Sequence, residues 1–230
     1  MYSYTYPRPA LTVDCVLFGW DIEKEQIKVL LIERAHNPYE GFWAFPGGFV
    51  DMDETTDLAA ARELEEETGV TNVYMEQLYT FSGVNRDPRE RVVSVAYFAL
   101  VKPHQHQVVA ASDAKRAQWI ALGEIEKLAF DHQLILDTAV ARLRSKVRYQ
   151  PIGFELLPSK FSLSQLQSLY EAILGIRIDK RNFRRKVLKS NVLTALNEYQ
   201  QDVTHRAARL YQFDQARYKE LTEKGYVFDL

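Results

Sequence analysis

The alternation of apolar and polar residues predicts strands and helices in the first two-thirds of the chain. Two segments rich in β-branched and aromatic residues, 11–20 and 26–34, flank a short polar segment, which predicts a β-hairpin. Residues 56–68 have helical periodicity, and Gly69 follows at the position where helices commonly end. Further strands are predicted at 72–81, 91–101 and 117–122, and a further helix at 131–147.

The pattern changes after residues 148–158, where two prolines and a glycine interrupt it. Beyond this point apolar residues recur at helical spacing, and Ser162 and Gln165 are placed as a capping box at the start of one helix. A second helix over 179–190 follows after a short connection, and a strand over 206–214 ends a small hairpin. The C-terminal part is therefore predicted to be a helix–turn–helix followed by a strand.

Charge is distributed unevenly between the two parts of the chain. Residues 1–150 contain 16 Lys and Arg against 22 Asp and Glu, whereas residues 151–230 contain 13 against 9. The net charge of −2 conceals this difference. We therefore expect two domains, 1–150 and 151–230, that have different partners.

The composition also bears on the compartment. Cys15 is the sole cysteine, which excludes an intrachain disulfide and a cysteine metal cluster. The first ten residues lack the basic start and apolar stretch of a signal peptide. The most apolar window, about ten residues long, is roughly half the length of a membrane-spanning helix. These features predict a cytoplasmic protein without membrane contact.

The first predicted helix carries a concentration of carboxylates. At about 100° per residue, Glu63, Glu66 and Glu67 fall on one face, and Ala59 and Ala60 beside them leave room for a ligand. The opposite face is predicted to pack inward through Leu58, Ala61, Leu64 and Thr68. Glutamates three and four residues apart destabilise a bare helix, and a divalent cation would reverse that effect. A solvated acidic face is the alternative.

The spacing of these residues resembles the Nudix motif. Gly48 is followed after five residues by Glu54, and after seven more residues by the triplet Arg62-Glu63-Leu64. The pairs Glu66-Glu67 and Gly69-Val70 come next, each after one intervening residue. Every specified position of the motif is present. The matching residues are Gly48, Glu54, Arg62, Glu63, Leu64, Glu66, Glu67, Gly69 and Val70.

The resemblance implies a Nudix fold, an α/β/α sandwich around a mixed sheet, and hydrolysis of a nucleoside diphosphate linked to another group. Arg62 and Glu54 would orient the acidic array, and Mg²⁺ or Mn²⁺ would neutralise the diphosphate and activate water. The general base would be Glu63 or a residue of a later loop, where Asp113 is the acid. The metal ligands implied are Gly47, through its backbone carbonyl, and Glu63, Glu66 and Glu67.

A second stretch, residues 85–100, is similar to ADP-ribose pyrophosphatase-like Nudix proteins. This similarity implies that Arg86 and Arg89 meet phosphate or ribose groups of the substrate, because guanidinium groups bind such oxygens well. Surface ion pairs within a charged loop are the alternative. Phe45, just before the motif, is a candidate for stacking on a base, and core packing is its alternative role.

The second helix of the C-terminal part presents a basic face. Arg181, Arg185 and Lys189 recur at steps of four, whereas Phe183 and Val187 lie opposite and are predicted to pack inward. In helix–turn–helix proteins such a helix enters the major groove, where Arg pairs with guanine and Asn with adenine. A solvated basic face is the alternative. The residues predicted to contact DNA are Arg181, Asn182, Arg184, Arg185 and Lys189, with Arg206 and Arg209 in the following hairpin.

Over nearly its full length the chain resembles the Nudix-related transcriptional regulators, which include the NrtR proteins and sugar-responsive relatives. Residues 151–175 and 179–190 carry the C-terminal part of this resemblance. It implies an α+β protein, a Nudix domain followed by a winged helix-turn-helix, that binds double-stranded DNA operators as a homodimer. Because the Nudix motif is intact, two functions remain open: a hydrolase of a compound such as ADP-ribose coupled to a DNA-binding domain, or a regulator that senses a nucleotide sugar or sugar without hydrolysing it.

Overall fold

The computed structural model describes residues 4–106, 108–109, 114–201 and 207–228. The chain forms two compact units, one from Met1–Gly19 and Lys28–Val140 and the other from Trp20–Ile27 and Ala141–Leu230. In the described part of the chain, no helix is both long enough and apolar enough to cross a bilayer.

A mixed sheet forms the centre of the first unit. Its strands are β1 (Ala10–Asp21), β2 (Gln26–Arg34), β3 (Trp43–Ala44), β4 (Glu76–Phe81), β5 (Val92–Val101) and β6 (Ala114–Ala121). The order is β3-β2-β1-β5-β4, and β6 pairs with β2. β1 runs parallel to β5, whereas β2 with β3, β2 with β6 and β4 with β5 are antiparallel. The predicted mixed sheet is therefore confirmed.

The predicted start of β4 was wrong by four residues. Asn72 has a φ of 56°, in the left-handed region, so the extended chain begins only after it. Two helices complete this part of the chain, α1 (Thr56–Thr68) and α2 (His132–Tyr149). α1 has the predicted bounds, and Gly69 ends it with a φ of 71°.

The predicted buried face of α1 is confirmed at Leu64 and Thr68 but was wrong at Leu58 and Ala61, which are exposed. Ala59 and Ala60 are fully buried rather than open beside the glutamates, whereas Leu58 is 59% exposed. The physical reason is close packing of the helix on β1, where the Cys15 thiol donates to the carbonyl oxygen of Ala60 at 3.4 Å. The small side chains of Ala59 and Ala60 let the helix pack closely on β1. In this orientation of the helix, Glu67 is buried as well.

The second unit contains a helix–turn–helix and a small antiparallel sheet. Its elements are β7 (Phe161–Ser162), α3 (Leu163–Leu174), α4 (Lys180–Lys189), β8 (Leu193–Tyr199), β9 (Arg209–Phe213) and α5 (Gln215–Glu223). The Ser162–Gln165 capping box is confirmed, with both hydrogen bonds present. Phe183 and Val187 are buried as predicted. Helix α5 was not predicted, because it buries no residue and so lacks an apolar period.

Candidate functional site

Arg62 lies at the centre of the acidic face of α1. Its guanidinium donates to Glu54 at 2.6 and 3.1 Å, to Glu63 at 2.8 Å and to Glu66 at 3.2 Å. A further hydrogen bond, 3.0 Å long, reaches the carbonyl oxygen of Phe49. One arginine therefore offsets the mutual repulsion of three carboxylates. Its hydrogen bonds also lower the pKa of Glu54.

Glu67 and Glu63 lie against the two glycines that precede the helix. The amide of Gly47 donates to Oε2 of Glu67 at 2.9 Å. A Cβ atom at Gly47 would collide with the carbonyl oxygen of Val13, and one at Gly48 would collide with the Glu63 carboxylate. Gly47 is therefore required where the loop passes β1, whereas a side chain at position 48 would need the Glu63 carboxylate to move. Burial raises the pKa of Glu63, although Arg62 opposes the effect.

These side chains have the donor chemistry that a hard divalent cation prefers, because carboxylate oxygens and a backbone carbonyl are typical Mg²⁺ ligands. In this structure Arg62 contacts two of the three glutamates and the third is bonded to an amide. Among the described residues, no three His, Cys, Asp or Glu side chains gather in the arrangement of a metal site. A bound cation would have to compete with Arg62 for Glu63 and Glu66.

A pocket of about 370 Å³ opens beside this array. α1 contributes Arg62, Glu63 and Glu67 to its wall, and the loop after β4 contributes Arg86, Asp87 and Arg89. Strands β1 and β2, the loops after β2 and β3, and the start of α2 supply most of the rest. The remaining polar and aromatic lining residues are Thr12, Asp14, Arg34, His36, Asn37, Phe45, Phe49, Asp51, Phe130 and His132. The pocket therefore offers both signs of charge together with aromatic rings.

A buried polar cluster forms the floor of this pocket. Arg86 donates to both carboxylate oxygens of Asp131, at 3.0 and 2.7 Å, and lies 3.5 Å from Asp14. Asp14 also accepts from the hydroxyl of Ser94 at 2.5 Å. The side chains of Arg86 and Asp14 are 6% and 9% exposed. Arg86 is thus buried in an ion-pair network rather than in the surface pair that the sequence left as an alternative.

His132 joins the cluster through both ring nitrogens. Its Nδ1 accepts from the Phe45 amide at 3.0 Å, and its Nε2 lies 3.3 Å from Oδ1 of Asp14. Burial lowers the pKa of this imidazole. A neutral ring whose proton is on Nε2 satisfies both contacts, since Nδ1 must keep its lone pair. The ring of Phe45 stacks on His132 at 5.5 Å and is almost wholly buried, which places it in the core.

An aromatic and cationic rim surrounds the pocket mouth. Arg89 pairs with Asp87 at 2.7 Å, and its guanidinium lies 5.7 Å from the Phe49 ring and 5.5 Å from the Phe130 ring. Arg34 approaches the same Phe130 ring at 4.8 Å. The side chain of Arg89 is 42% exposed, so it keeps surface for a ligand. Such planar groups suit stacking with a nucleobase and charge pairing with phosphate.

The sequence did not predict several of these residues, among them Asp14, Arg34, Phe130, Asp131 and His132. A signal existed for Asp14, because it is the single charged residue among positions 10–20 of the apolar strand β1. The others follow from topology, since the loop before α2 meets β1 only in the folded chain. Asp113, the candidate base of a later loop, lies outside the described residues.

The basic helix α4 is capped at its start and carries several exposed cations. Asp179 caps its start by accepting from the Asn182 amide at 2.8 Å, and the Asn182 side chain accepts from Arg185 at 2.9 Å. Arg184 donates to the hydroxyl of Ser164 on α3 at 3.1 Å. Other cations on this helix, Arg181, Lys186 and Lys189, are exposed.

The hairpin after α4 is described only in part. Arg209, the first residue of β9, donates to the carbonyl oxygen of Leu196 at 2.7 Å and lies 3.4 Å from Asn197. Its guanidinium therefore lies over the strand that pairs with β9. Arg206 lies outside the described residues, so its predicted DNA contact stays a prediction.

Comparison with known proteins matches two family models, a NUDIX domain over residues 8–141 and an NrtR DNA-binding winged helix domain over residues 153–213. The chain is 38% identical to an ADPR responsive transcriptional repressor of Acinetobacter baylyi, over 90% of this chain and 83% of the relative. It is 40% identical to an ADP-ribose pyrophosphatase of Methanocaldococcus jannaschii, over 57% of this chain and 73% of the relative. The crystal structure of Shewanella oneidensis NrtR complexed with a 27mer DNA matches with a TM-score of 0.77 and 34% identity, covering 96% of this chain and 99% of that one.

Proposed function

Since this chain belongs to the Nudix family and ends in a winged helix domain of the NrtR kind, we propose that it is a transcriptional regulator whose Nudix pocket binds ADP-ribose or a related nucleoside diphosphate sugar. We assign residues 1–150 to the Nudix domain and residues 151–230 to the winged helix. The observation that carries the proposal is one chain with a polar, aromatic-rimmed pocket in one unit and a capped, basic helix in the other.

The pocket has partners for each part of such a ligand. Arg89 is exposed enough to pair with a phosphate while it stays near two aromatic rings that suit a base. Arg86 is held by Asp14 and Asp131, so it contributes a fixed positive charge to the pocket floor. Carboxylates and hydroxyls on β1 are suited to ribose hydroxyl groups. Phe45 supports this floor from the core through its stack on His132.

A divalent cation, Mg²⁺ or Mn²⁺, would be held by Glu63, Glu66 and Glu67 with the backbone of Gly47. When bound, the cation would neutralise the charge of the diphosphate and activate water. Arg62 orients these carboxylates, and Glu54 anchors Arg62 from the opposite side.

Hydrolysis of the ligand is the second candidate function, and the complete Nudix motif favours it. In that case the protein would release a nucleoside monophosphate and so destroy its own effector. Turnover and sensing use the same pocket, so they can coexist in one protein. The relative with 40% identity is a pyrophosphatase, whereas the relative matched over most of the chain is a repressor.

DNA binding would use α4 in the major groove. Arg181, Arg185 and Lys189 would face bases and phosphates, and Asn182 would be fixed by its contact with Arg185. A homodimer would match a two-fold symmetric operator. Action on chromosomal DNA would place the protein in the cytoplasm.

The test begins with a duplex selected in vitro from a random pool by the full-length protein. Its dissociation constant is then measured by fluorescence anisotropy with and without ADP-ribose, while released AMP is followed by chromatography in the presence of Mg²⁺ or Mn²⁺. We expect ADP-ribose to change the dissociation constant of the protein–duplex complex at least tenfold. If ADP-ribose leaves the duplex dissociation constant unchanged while AMP is released rapidly, the protein is an enzyme rather than a sensor. Failure to select any duplex would overturn the regulatory proposal.

A further inference from the structure

Helix α3 of the second unit is held at two points by elements that begin beside the ligand pocket. Near its middle, the hydroxyl of Ser168 donates to Oε1 of Glu25 at 2.7 Å. At its C-terminal end, Nε of Arg144 donates to the carbonyl oxygen of Ile173 at 2.9 Å. Glu25 lies in the turn between β1 and β2, and Arg144 lies on α2. All four residues belong to the second unit.

The tip of the β1–β2 hairpin has a defined conformation. Asp21 accepts from the amides of Glu23 and Lys24 at 3.2 and 3.0 Å, which closes the turn. Glu25 has a φ of 51°, a conformation that costs energy for a residue other than glycine. Ile27, just after the turn, is 4% exposed. The turn therefore presents the Glu25 carboxylate to α3 in a fixed position.

The same three elements carry side chains of the ligand pocket. β1 contributes Asp14, β2 contributes Arg34, and α2 contributes His132 from its first turn. Asp14 and Asp21 are seven residues apart on one strand, a span of roughly 23 Å. Rigid secondary-structure elements can carry coupling between sites over such a distance.

From α3 the contacts continue to the predicted DNA-binding residues. Ser164, in the first turn of α3, accepts from Arg184 of α4. A cleft of about 760 Å³ in the second unit is lined by Ile22 and Glu25 of the hairpin tip and by three cations. These cations are Lys180, Arg184 and Arg209. The hairpin tip thus lies in the same cleft as side chains suited to DNA phosphates.

We propose that the β1–β2 hairpin couples ligand occupancy to DNA affinity through the Glu25–Ser168 hydrogen bond on α3. The inference rests on the proposed regulatory function and names the connection that it requires. Ligand contacts at Asp14 and Arg34 bias the position of the hairpin, and the bond to Ser168 passes that bias to α3 and to Arg184. Because coupling is reciprocal, bound DNA changes ADP-ribose affinity by the same factor.

The experiment compares the response of full-length variants to ADP-ribose. The response is the ratio of the operator dissociation constants with and without saturating ADP-ribose, measured by anisotropy on the selected duplex. Ser168→Ala removes the donor and Glu25→Ala removes the acceptor. Glu25→Gln keeps an acceptor oxygen while it removes the charge. Glu23→Ala, an exposed acid of the same turn, is the matched control.

We expect Ser168→Ala and Glu25→Ala to reduce the response at least threefold. Glu25→Gln and Glu23→Ala should keep the wild-type response within twofold. In Ser168→Ala, the ADP-ribose dissociation constant of the DNA-free protein, measured by calorimetry, should change by less than twofold. A helical circular dichroism spectrum and a melting temperature equal to wild type show that each variant is folded.

The inference is overturned if Ser168→Ala responds like wild type, or if Glu25→Gln loses the response as fully as Glu25→Ala. In the latter case the charge of Glu25, and not its hydrogen bond, would link the two activities. A wild-type protein that binds ADP-ribose and operator independently would instead overturn the proposed function, and the variants would then have no response to lose. The two failures are therefore distinguishable.

Discussion

Arg62 donates two parallel hydrogen bonds to Glu54, from Nη2 to Oε1 at 2.6 Å and from Nε to Oε2 at 3.1 Å. The remaining nitrogen, Nη1, is shared between Glu63 and Glu66. An arginine therefore stabilises the acidic face of α1 from within the protein. A divalent cation would take over part of that role, so the two positive groups should have interdependent effects on stability.

The first prediction concerns the combined effect of Arg62 and a divalent cation on stability. Arg62→Ala should lower the free energy of unfolding by about 1 kcal/mol, because solvent screens the partly exposed pairs while the glutamates still repel. Millimolar Mg²⁺ should restore more stability to the variant than to wild type. Urea denaturation with and without Mg²⁺ measures both effects. Arg181→Ala on α4 is the control, and equal Mg²⁺ effects in all three proteins would contradict the prediction.

The second prediction distinguishes a glutamate of the Nudix motif from the acidic residue next to it on α1. Glu66→Gln should weaken Mn²⁺ binding by at least tenfold and abolish any metal-dependent release of AMP, because a carboxylate ligand is lost. Glu65→Gln changes an exposed acid one position away and should leave both unchanged. Calorimetric titration with Mn²⁺ and chromatography of AMP provide the two readouts. If the two variants behave alike, the motif glutamates do not form the metal site.

The third prediction follows from His132, whose pKa is lowered by burial. The native state binds fewer protons than the unfolded state below the ordinary histidine pKa of about 6.5, so this residue makes stability fall as the pH drops through that range. His132→Gln keeps polar atoms toward Phe45 and Asp14 and should flatten the pH dependence between about pH 6.5 and pH 5. Urea denaturation at several pH values tests this. His104→Gln, at an exposed site, should retain the wild-type slope.

The fourth prediction concerns DNA. Arg185→Ala should weaken binding to the selected duplex by about 1–3 kcal/mol if its guanidinium pairs with guanine. Lys219→Ala on α5 removes an exposed positive charge outside the recognition helix and should cost much less. Anisotropy titrations on the selected duplex and on a scrambled one give the specificity. A loss that is equal on both duplexes would assign Arg185 to phosphate contact only.

The fifth prediction tests how α1 packs. Ala60→Leu should cost about 1–3 kcal/mol, because a larger side chain has no space between the helix and β1. Ala61→Leu on the exposed side of the same helix should change stability by less than about 0.5 kcal/mol. Thermal and urea unfolding of both variants measure the difference. Similar costs at the two positions would contradict the observed rotation of α1.

The sequence predicted those features that depend on local chemistry. The bounds of α1, the capping box of α3 and the inward packing of Phe183 all follow from caps and spacing, and all are confirmed. The Arg62–Glu54 pair was likewise predicted from the motif and is confirmed.

Features that depend on long-range packing were not predictable in this way. The rotation of α1 was predicted only in part, because Leu64 and Thr68 are buried as expected but Ala59 and Ala60 are buried as well, in place of Leu58. The pocket floor unites Asp14 with Asp131, and only the topology of the folded chain brings them together. Asp14 gave a local signal as a charge inside an apolar strand, but nothing local linked it to Asp131.

The pocket floor constrains how this protein can diverge. Arg86 binds Asp14 and Asp131 together, so replacing Arg86 leaves the buried Asp14 carboxylate without its ion-pair partner, at a cost of about 3–5 kcal/mol. A single-site mutational scan should therefore score position 86 as intolerant. New ligand preferences would then arise at the rim, around Arg34, Arg89 and Phe130, where the effects of substitutions are coupled because both guanidinium groups lie over the Phe130 ring. The floor would change only by simultaneous replacement of its members.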